Sequence, residues 1–191
     1  IVSGDFYFFN KKGNLISFAA TDCTGHGIPG ALLSIIGYGI LDQAINELKL
    51  NDPPEILNHL YSKVHRFLRW DQNETGLADD MDIALCTLDL KTGILNYAGV
   101  GSPLYHITEK GLIEYKPQNS NEVCGENDNC PFVSERIRME QGDTIYLFSD
   151  GYADQFGGKL HKKYQSGRFK DLLLSIQSQS IPEQSDRLYE E

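Results

Sequence analysis

Two β-prone, aromatic-rich runs, residues 5–10 and 15–22, flank Lys11-Lys12-Gly13-Asn14. No other stretch constrains the fold as tightly, because Gly13-Asn14 suits a two-residue hairpin turn and so fixes the strand register. A turn centred there sets Asp5 directly opposite Asp22. Side chains so paired are only about 5 Å apart, and like charges facing each other destabilise a sheet. A divalent cation between them reverses the sign of that effect. The pairs Tyr7 with Ala20 and Phe9 with Phe18 make one face apolar, and Phe6, Phe8 and Ala19 do the same for the other. The pattern therefore predicts a central hairpin covered on both faces, with acids at one end.

Downstream of Asp22, the stretch Cys23-Thr24-Gly25-His26-Gly27-Ile28-Pro29-Gly30 turns into an apolar helix running from Ala31 to Leu48, its start predicted to be buried. Pro29 suits a first helical turn, where its missing N–H costs nothing. A second helix begins with Asp52 as N-cap, Pro53 at the first helical position and Glu55 placed for a capping box, followed by the stripe Ile56, Leu57, Leu60, Tyr61, Val64, Phe67 and Leu68. The period then changes to that of strands: Met81 to Leu90, Ile94 to Val100, Leu104 to Thr108, Leu112 to Tyr115, Phe132 to Met139 and Thr144 to Ser149. Arg168 to Ile176 and Pro182 to Tyr189 read as closing helices, the second with Ser180 or Ile181 near its cap, and Gly157 to Lys163 as a loop. A hairpin, two helices and an antiparallel meander lack βαβ alternation, so the order points to an α+β layered sandwich.

The 191 residues suffice for one domain with a sizeable core. A net charge of -10 repels phosphate backbones and anionic lipid, and the one basic cluster, Lys159 to Lys163 with Arg168 and Lys170, is small. We therefore expect no nucleic-acid binding and no direct membrane insertion by this segment. Four cysteines are too few for a disulfide scaffold, and Cys86 reads as a core residue. Cys124 and Cys130, which bracket a loop able to hold a disulfide or half a soft-metal site, read as free thiols because no supporting ligands lie nearby.

Asp5, Asp22 and Asp150 each lie at the end of an apolar strand, with no cation in their sequence neighbourhood. Hard oxygen donors of this kind suit Mg²⁺ or Mn²⁺, and a pair of such ions can activate water and clamp a phosphoryl group. Gly25-His26-Gly27 fits either an anion cradle ahead of a helix or a tight turn, and His26 either a general acid or a polar turn residue. No Gly-x-Ser-x-Gly elbow occurs, which disfavours serine-nucleophile chemistry.

The motifs Ser3-Gly4-Asp5-Phe6-Tyr7, Asp22 to Ala31, Asp79-Asp80-Met81-Asp82-Ile83-Ala84-Leu85, Asn96-Tyr97-Ala98-Gly99 and Ser149-Asp150-Gly151, taken in that order, resemble bacterial SpoIIE-type serine phosphatases of the metal-dependent protein phosphatase 2C superfamily. The resemblance implies a four-layer α-β-β-α sandwich of two antiparallel sheets flanked by helices. It also implies a centre of two Mn²⁺ or Mg²⁺ ions. Asp22 would bridge them, the Cys23 backbone carbonyl, Asp5 and Asp150 would complete the set, and Asp82 would touch a third, weaker ion. The reaction so implied is direct in-line hydrolysis of phosphoserine, with Asp22 and His26 as catalytic residues. Two departures stand out: Asp80 replaces a glycine, and the family's final strand, carrying a further metal-binding aspartate, does not follow Tyr189-Glu190-Glu191.

These readings lead us to expect residues 1–191 to form a single catalytic domain, a fragment truncated at both ends and the output module of a sensor or regulator. The resemblance adds a phosphorylated protein substrate, such as an anti-sigma-factor antagonist, an upstream sensor domain, and a cytoplasmic location, with or without a membrane-associated sensor. A catalytically impaired interaction module with the same fold is the alternative, and another two-metal phosphoesterase, such as a nuclease, the third reading.

Overall fold

A computed structural model describes residues 4–23, 27–68, 81–117, 132–157 and 162–191. Strands β1 (Phe6–Lys12) and β2 (Leu15–Cys23) form the opening hairpin, with Phe6 opposite Thr21 and Lys12 opposite Leu15. This is the register predicted from the Gly13-Asn14 turn. Helix α1 (Ile28–Asp42) runs into a π-helical turn (Gln43–Glu47), and α2 spans Pro53–Leu68. Then come β3 (Met81–Asp89), β4 (Ile94–Val100), β5 (Leu104–Thr108), β6 (Gly111–Tyr115), β7 (Glu135–Arg138) and β8 (Thr144–Tyr146). A short ribbon, β9 (Phe156–Gly157) and β10 (Lys162–Lys163), precedes α3 (Ser166–Ser175) and α4 (Ile181–Glu190).

The strands make a five-stranded antiparallel sheet, ordered β1-β2-β3-β4-β7, and a three-stranded one, ordered β6-β5-β8. Alternation along β3 explains how they stack. Ile83 and Leu85 point into a core with Ile40, Leu41, Ile56 and Leu60 from α1 and α2. Ala84 and Cys86 point the other way, into a core with Leu95, Tyr97, Leu104 and Ile137 between the two sheets. Tyr105 and Ile107, on the far face of β5, pack against Phe169, Leu172, Leu173 and Ile176 near the carboxyl end. Period-two side-chain direction thus turns one strand into the shared wall of two cores, giving helix, sheet, sheet and helix layers. Each fully buried leucine or isoleucine contributes about 1.5–3 kcal/mol relative to exposure.

Helix α2 buries Ile56, Leu57, Leu60 and Val64, the stripe read from its spacing. Its start is secured by the Ile56 N–H, which donates to the Asp52 carbonyl. Helix α4 opens on a capping box in which Ser180 and Glu183 satisfy each other's backbone donors.

Two expectations need correction. The hairpin is covered on both faces only along β2, where Phe18 packs into the core between the sheets; β1 is an edge strand and leaves Tyr7 80% and Phe9 60% exposed, while Phe8 is buried. The smaller sheet is narrower than the larger one and does not reach beneath β1. The start of α1 is likewise open on one side, with Ile28 74% and Ile35 70% exposed; burial is concentrated at Ile40, Leu41, Ala44 and Ile45, where α2 crosses. Ile28–Glu47, at 20 residues, is also long and apolar enough to cross a membrane by length and composition alone. Its buried side chains nevertheless pack against α2 and the sheet.

Candidate metal centre

Three neighbouring strands bring three acids into one row. Asp22, near the end of β2, pairs with Asp82 of β3. On its other side the β1–β2 register, continued one pair beyond Phe6 and Thr21, sets Asp5 against it. Directly opposed residues point to the same face of a sheet, so the three carboxylates share one end of the larger sheet. Asp150 comes from the smaller sheet, four residues beyond β8, and contributes to the same electrostatic field.

The crowding is visible in the chemistry of Asp22. Burial first, then the charge of Asp5, a hydrogen bond between these two carboxyls, and the charges of Asp150 and Asp82 push the Asp22 carboxyl up to about 7. Among the described residues, the charged groups seen to act on it are all acids. Cys23 is buried, and burial followed by Asp22 and Asp5 pushes its thiol up to about 12, so near neutrality it stays protonated. This fits the expectation that Cys23 offers its backbone carbonyl rather than its sulfur.

Two glycines allow the acids to sit where they do. A Cβ on Gly4 would lie 2.3 Å from the Cys23 carbonyl oxygen, so the chain leading into Asp5 passes against that carbonyl only because residue 4 has no side chain. A Cβ on Gly101, whose φ is 67°, would lie 2.0 Å from Asp82 Oδ1. The Asp82 carboxylate thus occupies the space a side chain would fill. Ser149 adds a tie between the sheets by donating its hydroxyl to Asp5 Oδ2 over 2.7 Å. Gly4 and Ser149 lie inside the motifs quoted above but carry no assigned role there, and Gly101 lies outside those motifs. Only a local cue pointed to Ser149, a hydroxyl immediately before a strand-end acid.

The structure thus brings Asp5, Asp22, Asp82, Asp150 and the Cys23 carbonyl to one region. His26, together with Asp79 and Asp80, lies outside the described residues, as do Cys124 and Cys130. Among the described residues no three His, Cys, Asp or Glu side chains form a ready ligand group for a metal ion. The donors still fit such an ion by their chemistry: they are hard oxygens, and their mutual repulsion raises the Asp22 carboxyl. Of the basic cluster, Lys163 pairs with Asp154 at 2.6 Å and Lys170 with Glu114 at 3.0 Å, so part of its charge is already matched internally.

A family model for stage II sporulation protein E (SpoIIE) matches residues 12–191. The chain belongs to the SpoIIE family. It is 29% identical over 156 residues to the phosphoserine phosphatase RsbU of Bacillus subtilis (strain 168), a match covering 80% of this chain and 43% of RsbU. This SpoIIE-family chain therefore spans less than half the length of that curated relative. It superposes on the SiaA-PP2C domain of Pseudomonas aeruginosa with a TM-score of 0.81 at 29% identity, covering 98% of this chain and 71% of the other. RsbX, solved in complex with magnesium, shares the fold at a TM-score of 0.67 and 14% identity, over 99% of this chain and 80% of its own. The α+β, protein phosphatase 2C-like sandwich inferred from the motifs is borne out by these likenesses and by the layers described above.

Proposed function

We propose that this SpoIIE-family domain is a metal-dependent protein-serine phosphatase. The observation that carries the reading is the acid row itself: Asp5, Asp22 and Asp82 on adjacent strands, joined by Asp150, whose charges all act on Asp22. Likeness to RsbU, named a phosphoserine phosphatase, and to the SiaA-PP2C domain supports phosphoserine as the substrate class.

In this reading Asp22, Asp5, Asp150 and the Cys23 carbonyl oxygen would hold two ions, Mn²⁺ or Mg²⁺, with Asp22 shared between them, and Asp82 would hold a weaker third ion. Bound there, the ions would supply an activated water and neutralise charge on the phosphoryl group. The chain's own part is to place the oxygens, to surrender the Asp22 carboxyl proton when cations load, and to keep Asp82 against Gly101. His26 is assigned as the general acid at the leaving serine oxygen. The substrate would be a phosphorylated regulatory protein, such as an anti-sigma-factor antagonist. Residues 1–191 would act as a single catalytic output domain under an upstream sensor.

Hydrolysis of a phosphoserine peptide, followed by phosphate release with Mn²⁺ and with excess chelator, tests the reading. It predicts activity that requires the ion and is lost in Asp22→Asn. Chelator-insensitive hydrolysis, or full activity of that variant, would contradict it.

A further inference from the structure

We propose that Ser149 is a positioning residue that fixes the orientation of the Asp5 carboxylate for cation binding, an inference that rests on the metal-centre reading above. The two residues are 144 positions apart in sequence and belong to different sheets: Asp5 leads into β1, the edge of the larger sheet, and Ser149 follows β8, the edge of the smaller one. A carboxylate at a strand end can turn about its terminal torsion, because sp³–sp² torsions are broad. A hydroxyl donating to one of its oxygens at 2.7 Å, the usual O–H···O length, removes that freedom. The Ser149 hydroxyl has one proton to give, and it is directed to Oδ2 of Asp5. A Cβ built on Gly151 would lie 3.5 Å from the Ser149 oxygen and 3.8 Å from Asp5 Oδ2, ordinary contact distances, so the pair sits directly over the Asp150-Gly151 turn.

The same bond doubles as a staple between two sheet edges, and the two roles separate experimentally. A staple acts on the metal-free fold. An orienting bond acts on cation affinity, because hydrogen bonds that orient ligating carboxylates typically change metal affinity about 10- to 100-fold when removed. Ser149→Thr keeps the hydroxyl, whereas Ser149→Ala deletes it with little change in shape. Ser149→Cys retains bulk with a weak donor and serves if the alanine variant does not fold.

Calorimetric titration of the full-length protein with Mn²⁺, alongside metal-free thermal unfolding, tests the assignment. The expected result is affinity reduced about 10- to 100-fold in Ser149→Ala, a smaller loss in Ser149→Cys, and recovery in Ser149→Thr. Phosphatase turnover at saturating Mn²⁺ should recover more fully than at low Mn²⁺. Equal Mn²⁺ affinity in all four proteins, or a loss that threonine does not restore, overturns the positioning role. A wild-type protein that binds no Mn²⁺ overturns this inference and the metal-centre reading together, whereas wild-type binding with unaltered variants overturns this inference alone.

Discussion

Asp5 and Asp22 face each other one pair beyond Phe6 and Thr21 in the β1–β2 ladder, and burial together with the nearby charge of Asp5 pushes the Asp22 carboxyl up to about 7. The metal-free protein therefore holds a proton on the Asp22 carboxyl below about pH 7. The folded-state value, raised to about 7 from an ordinary 3.8, lies above the unfolded one, so the native state binds the proton more tightly. The stability this contributes is complete below the unfolded value and is lost as pH rises from about 4 through 7. Asp22 is only partly buried, so solvent screens the effect. Thermal melts of the metal-free protein should accordingly fall over that window, and Asp22→Asn should flatten the fall.

Cation loading must displace the same proton. Mn²⁺ affinity is expected to rise with pH up to about 7 and to level off above it, because the competing proton is gone. Calorimetry in two buffers of different ionisation enthalpy, below pH 7, should detect proton release on binding. Affinity independent of pH between 5 and 8 would mean that Asp22 is not a ligand.

Gly4 gives a steric test. Its replacement by alanine places a Cβ 2.3 Å from the Cys23 carbonyl oxygen, a backbone atom that cannot swing aside. The expected cost is about 1–3 kcal/mol of stability, as for other overpacked sites, together with weakened Mn²⁺ binding because Asp5 is displaced. Urea unfolding with and without Mn²⁺ measures both effects.

A control away from the acids is provided by His106 and Asp143, which meet at 2.9 Å in the smaller sheet and are both largely buried. Burial alone would raise the Asp143 carboxyl, but the Glu140 N–H and His106 outweigh it and hold the carboxyl below its ordinary value. A depressed carboxylate contributes stability above the unfolded value, and that contribution is lost only as the solution becomes more acidic than the folded value. Asp143→Ala should cost about 1–3 kcal/mol, since it leaves His106 unpaired at that nitrogen. Mn²⁺ affinity should be unchanged. A matching loss of affinity would show that the effect at Gly4→Ala reports general softening of the fold.

What could be read from the chain alone follows from how local each signal is. The turn at Gly13-Asn14 set the β1–β2 register, and with it the approach of Asp5 to Asp22, because a two-residue turn leaves the ladder no freedom. The α2 stripe and the Ser180 cap are likewise local patterns. Exposure of Tyr7 and Phe9 was not legible, because alternation marks two apolar faces without saying whether a second sheet extends far enough to cover both. The β9–β10 ribbon was read as a loop, since two-residue strands leave no periodicity to detect. Ser149 and Gly101 owe their significance to partners elsewhere in the chain, and no spacing rule reveals such contacts.

The central claim is that the row Asp5, Asp22 and Asp82, with Asp150, binds divalent cations. Anomalous diffraction from crystals of the protein grown with Mn²⁺ tests it most directly. The account predicts anomalous peaks bridged by the Asp22 carboxylate and flanked by Asp5 and Asp150, and their absence in Asp22→Asn. Mn²⁺ peaks located elsewhere, or no peak at the acid row under saturating Mn²⁺ above pH 7, would contradict it.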